Sequence, residues 1–313
     1  MNPARQAPRK KSPKPLIIIL LLILVVAPAI AGLWFLISNR TNGKIISSGE
    51  TRLYLLYVPE SYDPGSPAPL VFNIHGYAQW PANQKDISNW NDLADEEGFI
   101  VVYPMGTGLP LHWATSAAVD KSPEAMKEVT FFSDLIDKLS TEYNIDPQRI
   151  YASGLSNGGG MSFMLSCTLA DRIAAIGTVS GTYLYPWESC SPARPVPLIA
   201  FHGVVDEIVP YYGGPSQMFY IPFPNIPEWM AEYARRNGCT AENQLPAQGQ
   251  VTGWHYTGCN QNADVIFYTI ADGGHSWPGG DPLPEFIVGK TSQEIDATRA
   301  MWQFFQGHPL INQ

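Results

Sequence analysis

Six residues constrain this chain more than any others: Gly154-Leu155-Ser156-Asn157-Gly158-Gly159. Before them stands a short β-rich run, Arg149-Ile150-Tyr151-Ala152-Ser153. After them comes Met161-Ser162-Phe163-Met164-Leu165-Ser166-Cys167, with no helix breaker. The pattern is a strand, a G-x-S-x-G turn and a helix, which puts a serine at the apex with its hydroxyl facing outward. So sharp a turn needs small neighbours, and Gly154 and Gly158 supply them. The helix that follows aims its free N–H groups and the positive end of its dipole back at the serine, a setting suited to a developing oxyanion.

The rest of the chain alternates strands with helices. Apolar β-rich runs fall at 52–58, 70–74, 99–103, 174–179, 197–201 and 265–270. Helical patterns fall at 90–97, at 227–236, at 297–305 and in a long segment after Ser122-Pro123. That segment pairs an N-cap serine with a proline at the first helical position, and Phe132, Leu135, Ile136, Leu139 and Tyr143 form one apolar stripe. Alternation of this kind predicts an α/β fold, a mostly parallel sheet with helices on both faces. Apolar residues make up 45% of the chain and charged residues only 15%, enough for one large globular domain, expected over 49–313.

The N-terminus reads as a separate object. Residues 1–15 carry Arg5, Arg9, Lys10, Lys11 and Lys14, and no acid appears before Glu50. Residues 16–38 are uncharged and almost wholly apolar, long enough as a helix to cross a membrane. Ala29-Ile30-Ala31 resembles a signal-peptide cleavage site, but Gly32-Leu33-Trp34-Phe35-Leu36-Ile37 continues the apolar run beyond it. The expectation is a basic cytoplasmic tail at 1–15, a transmembrane signal anchor (or a signal peptide) at 16–38 and a polar tether at 39–48, with the domain outside the cytoplasm. A net charge of −9, with no basic cluster past the first residues, argues against nucleic acid as a partner. Four cysteines in an exported domain favour disulfides, and their order suggests Cys167–Cys190 and Cys239–Cys259. No Cys or His spacing suits a metal.

A serine hydroxyl needs a base, and the base needs an orienting carboxylate. Of six histidines, His75 and His202 each precede a glycine at a strand end, and His112, His255 and His308 lie in polar or terminal contexts. His275 follows the last strand in a glycine-flanked loop and is the expected base. Asp206, just past the strand at 197–201, is the expected acid, with the adjacent Glu207 as its rival. Asp264 begins a strand and so sits at the wrong edge, and Asp281 comes after the histidine. Two backbone N–H groups are expected to form the oxyanion hole, those of Asn157 after the serine and of Tyr77 after Gly76. Trp277, Trp113 and Tyr211 are candidates for a substrate pocket.

Four motifs in order, His75-Gly76-Tyr77-Ala78-Gln79, Gly154 to Gly159, His202-Gly203-x-x-Asp206-x-x-Val209-Pro210-Tyr211 and Gly274-His275-x-Trp277-Pro278-Gly279, resemble the polyhydroxybutyrate depolymerase and feruloyl esterase group of α/β-hydrolases. The resemblance runs from about residue 53 to 306. It implies hydrolysis of short-chain, hydroxyalkanoate or hydroxycinnamoyl esters, small or oligomeric, outside the cytoplasm. It implies Ser156 as nucleophile, Asp206 as acid and His275 as base, with no metal or organic cofactor, and it supports both cysteine pairings. Secreted polymer depolymerases usually carry a linker and a polymer-binding domain after the catalytic one. This chain stops soon after Phe305, which argues against attack on crystalline polyester. Two other readings share these residues: a serine peptidase on the same fold and a non-catalytic envelope binding protein.

Overall fold

A computed structural model describes residues 40–115, 122–216 and 218–311, with isolated helical positions between 19 and 32. The chain divides into two units, Met1–Arg40 and Thr41–Gln313. The expected membrane segment at 16–38 lies, but for those isolated positions, outside the described residues, as does the basic tail at 1–15. No helix among the described residues is long and apolar enough to cross a membrane.

Among the described residues of the second unit, twelve strands and seven α-helices follow one another. They are β1 (Gly43–Ser47), β2 (Glu50–Tyr57), β3 (Ala68–Ile74), α1 (Pro81–Ser88), α2 (Trp90–Glu97), β4 (Ile100–Pro104), α3 (Pro123–Glu142), β5 (Ile145–Leu155), α4 (Asn157–Thr168), β6 (Ala175–Val179), β7 (Leu198–Gly203), β8 (Gly214–Pro215), β9 (Pro222–Phe223), α5 (Ile226–Arg236), β10 (Ala241–Gln248), β11 (Val251–Thr257), β12 (Val265–Ile270), α6 (Glu285–Val288) and α7 (Ala297–Gln306). Ten strands form one sheet in the order β1-β2-β4-β3-β5-β6-β7-β12-β11-β10. The six from β4 to β12 run parallel, and antiparallel strands close each side.

The core follows from strand periodicity. Successive side chains of a strand point to opposite faces. In β3, Leu70, Phe72 and Ile74 join one apolar layer, with Phe132 and Leu135 of α3 and Phe163 of α4. Val71 joins the other, with Trp90 of α2 and Trp302 and Phe305 of α7. Both faces are therefore covered, as an all-parallel centre requires. The cap expected from the sequence forms, with Ser122 Oγ accepting the Ala125 N–H at 3.1 Å, and Asn225 and Asp296, which the sequence reading did not single out, cap α5 and α7 in the same way.

Several elements were not expected, among them β11, the short β8 and β9, and α6, and three more show why. The tether expected at 39–48 contains β1, whose Gly43 to Ser47 pair with Tyr54 to Glu50 of β2. α1 starts at Pro81, where the proline occupies the first helical turn. The exposed, polar β10 carries no strand pattern of its own and takes its conformation from pairing with β11. The expected disulfides, Cys167–Cys190 and Cys239–Cys259, both form, leaving no free cysteine among the described residues.

Candidate active site

Parallel strands bring their C-terminal ends to one edge of the sheet, and the loops beyond those ends carry the candidate residues. Ser156 follows β5, Asp206 follows β7 and His275 follows β12. Ser156 has φ 57° and ψ −119°, a conformation that costs an L-residue energy and persists only where its surroundings hold it. Those surroundings are specific. The Ser156 N–H donates to Val179 O at 2.8 Å, and its carbonyl accepts from Gly160 at 3.0 Å and Thr182 at 3.2 Å. A Cβ on Gly154 would lie 2.5 Å from the Gly158 carbonyl, and one on Gly158 would lie 2.1 Å from Ile74 O, so helix α4 approaches β3 and β5 through bare backbone.

His275 and Asp206, 69 residues apart, meet directly. His275 Nδ1 donates to Asp206 Oδ2 at 2.8 Å, which leaves Nε2 as the acceptor nitrogen. The other carboxylate oxygen, Oδ1, accepts the Ile208 and Val209 N–H groups at 2.9 and 2.8 Å. Burial pushes the Asp206 carboxyl up, but the His275 imidazole, His202 and the Val209 N–H together outweigh it, and its pKa lies below the ordinary value. Glu207, the rival acid, faces solvent. Asp264 instead pairs with His255 Nε2 at 2.9 Å.

Around Ser156 lies a cavity of about 430 Å³ whose walls include Tyr77, Trp113, Leu184, Phe219, Ile221 and Phe223, with Asn157 beside the serine. Asn157 opens α4, so its N–H has no acceptor within the helix. On the other side of the serine, Gly76 N–H donates to Gln79 Oε1 at 3.0 Å and Ala78 N–H to Leu111 O at 2.8 Å. The Tyr77 N–H between them has no protein acceptor among the described residues.

Trp113 lines the cavity, with its indole N–H tied to His75 O at 2.9 Å. His75 is a buried support: Nδ1–H donates to Gly76 O and Nε2 accepts the Gly106 N–H, and burial pulls its pKa down to about 4. Two expected pocket residues lie elsewhere. Trp277 is only 1% exposed, bonds Thr298 Oγ1 at 2.9 Å and packs in the layer under α7, because the loop after His275 turns back beneath the sheet edge. Tyr211 sits at the foot of its loop, against His202 and Phe267, where its carbonyl accepts the Ile226 N–H. The part of that loop that reaches the cavity is Phe219 to Phe223.

The chain matches the family model described as esterase PHB depolymerase over residues 53–196. A feruloyl esterase B from Piromyces equi is 31% identical over 242 residues, covering 75% of this chain and 45% of that protein. A bifunctional acetylxylan esterase/xylanase from Neocallimastix patriciarum is 36% identical over 157 residues, covering 50% of this chain and 22% of that protein. By these matches the chain is similar to α/β-hydrolases of the polyhydroxybutyrate depolymerase and feruloyl esterase type. The chain thus spans less than half the length of either of these two relatives. Among solved structures, an acetyl xylan esterase from Aspergillus awamori shares the fold, with a TM-score of 0.60 at 15% identity over 84% of this chain and 98% of that one.

Sequence reasoning overlooked how the chain holds its cavity wall. The Asn157 side chain clamps the Trp113 loop: Oδ1 accepts Trp113 N–H at 2.7 Å, and Nδ2 donates to Trp113 O and Thr115 Oγ1, each at 3.1 Å. Gln79 fixes the opposite loop through Gly76. Both amides stand beside motif residues, yet nothing in a linear pattern says which backbone an amide side chain reaches.

Proposed function

We propose that the chain is a serine carboxylic ester hydrolase. Ser156 attacks the ester carbonyl while His275 Nε2 takes its proton, and Asp206 holds the imidazole in the required tautomer. The Asn157 and Tyr77 N–H groups bind the oxygen as it becomes negative, each donor typically worth roughly 3 kcal/mol. The protonated His275 then gives its proton to the leaving alcohol oxygen, and an ester forms between Ser156 and the acyl group. Water, activated by the same imidazole, cleaves that ester and restores the serine. The observation that carries this reading is the 2.8 Å bond from His275 Nδ1 to Asp206 Oδ2, formed at the sheet edge where Ser156 holds its strained turn.

The cavity supports acyl groups larger than acetyl, and its aromatic walls suit chains or rings. The names of the relatives point to feruloyl and acetylated polysaccharide esters as the first substrates to try. Two disulfides and the basic-then-apolar N-terminus support an extracytoplasmic domain tethered through residues 16–38. Protease shaving of intact cells tests that placement, and protection of the domain would overturn it. For the chemistry, p-nitrophenyl butyrate turnover should fall by at least about 10³-fold in Ser156→Ala and His275→Ala, with labelling by a fluorophosphonate lost in Ser156→Ala. Full activity in Ser156→Ala would refute the assignment, and a peptide substrate cleaved faster than the ester would favour a peptidase.

A further inference from the structure

The cavity beside Ser156 is apolar on most sides, yet one charged side chain lines it. Glu124, in the first turn of α3, stands at its wall with Trp113, Leu184, Phe219 and Phe223. Among the described residues the other ionisable side chain with a basic site in the lining is His112, and no Lys or Arg lines the cavity. Lys127, one turn further along α3, feels the charge of Glu124 but donates its hydrogen bond to Glu50 Oε1 at 2.5 Å. Glu124 is itself exposed, so water screens part of its charge, while the apolar walls on the cavity side weaken that screening for an acyl group inside. The whole chain, at −9, has the same sign.

Which part of an ester meets this field follows from the reading above, on which the inference rests. The leaving oxygen must face His275 to receive its proton. His275 is not among the residues lining the cavity, whereas Tyr77 and Asn157, whose N–H groups would take the carbonyl oxygen, both are. The leaving group therefore points away from the cavity, and the acyl group enters it.

We infer that Glu124 makes this an acyl pocket for uncharged groups and turns away acyl chains that end in a carboxylate. The excluded class is the half-esters of dicarboxylic acids. The favoured class is chains or aromatic acyl groups that are neutral, including those whose hydroxyl can donate to the carboxylate.

The test compares p-nitrophenyl hexanoate with the mono-p-nitrophenyl ester of adipic acid, two acyl chains of equal length that differ in one terminal charge, at pH 8 and low salt. In Glu124→Gln, kcat/KM for the adipate ester should rise about fivefold relative to the hexanoate, and in Glu124→Lys further still. In the unaltered enzyme the preference for hexanoate should narrow as salt rises from about 20 mM to about 0.5 M, a readout that needs no variant. A ratio that stays the same in both variants and at both salt concentrations overturns the inference. So does a lowered Tm in Glu124→Gln with the ratio unmoved, since the carboxylate would then serve only the first turn of its helix. If the unaltered enzyme cleaves neither ester, the esterase reading itself fails and the inference falls with it.

Discussion

Asn157 serves two purposes through two different groups. Its N–H is the proposed oxyanion donor, and its side chain makes three hydrogen bonds to the Trp113–Thr115 strip of the cavity wall. Asn157→Ala keeps the first and removes the second. At a net ~0.5–1.5 kcal/mol per bond, kcat/KM for an aromatic ester should fall about tenfold or more, mainly through KM. A loss confined to kcat would show that the wall does not depend on the clamp. His75 gives a different expectation. Burial holds its folded pKa at about 4, below the ordinary ~6.5, so the unfolded chain takes up the proton first. The stability it contributes is complete above about pH 6.5 and is lost as pH falls toward 4, by up to about 3 kcal/mol, with the buried His202 acting in the same direction. Urea midpoints at pH 7 and pH 5 should show this fall, and His75→Gln should flatten it; an equal slope in that variant would refute the cause. At this scale Ser156, Asp206 and His275 were legible because each is a reactive type just past a strand. Trp277 and Tyr211 were not, because spacing within a loop does not say which way a ring points. Trp277 turned into the α7 layer, where its N–H found Thr298.

The element that organises the site is the β5–α4 elbow, and its legibility had a steric cause. Gly154 and Gly158 admit no Cβ, since either would strike backbone at 2.1 to 2.8 Å. Backbone cannot retreat as a flexible side chain can, so Gly158→Ala should be destabilised by roughly 1–3 kcal/mol or more. For a domain of this size that is a Tm lower by about 5–10 °C. Scanning fluorimetry on the two proteins checks it, and an unchanged Tm would mean that α4 can shift away from β3 without cost. Strain recurs along the same edge: Ala78, Ser156 and Ser180, each just beyond the end of a parallel strand, all have positive φ. The buried parallel strands and capped helices were readable because burial and capping each leave a residue pattern. β10 and α1 were not. β10 is exposed along most of its length and includes Pro246, so its strand conformation comes from a neighbour. α1 combines a proline start with buried polar residues, Gln84 and Ser88, bonded to Asn73 of β3, which hides its core-facing side from an apolar count.

Across the whole molecule the two edges of the sheet have different tasks. The C-terminal edge carries the cavity and the loops around Ser156, Asp206 and His275. The opposite edge carries both disulfides. Cys167 lies near the end of α4, away from the serine at its start. Cys239 and Cys259 flank the ends of β10 and β11 where Tyr256 pairs with Val265, the first residue of β12. The order of the four cysteines made the pairing legible, but not this segregation, which needs the strand directions. Its consequence is that covalent stabilisation and catalysis should separate. The bridges span 23 and 20 residues, and loop-closure entropy assigns each about 3 kcal/mol, model-dependent. Removing both by Cys→Ala substitution of all four residues should lower Tm by roughly 10–20 °C. At 25 °C, with the fold retained, kcat for p-nitrophenyl butyrate should stay within about twofold of the unaltered protein, because no atom of either bridge helps to position Ser156, Asp206 or His275. Calorimetry and initial rates on the same preparations separate the two effects. A kcat that falls together with Tm while the domain is still folded would show that the stapled edge reaches the catalytic one through α4, the helix that joins Cys167 to Ser156.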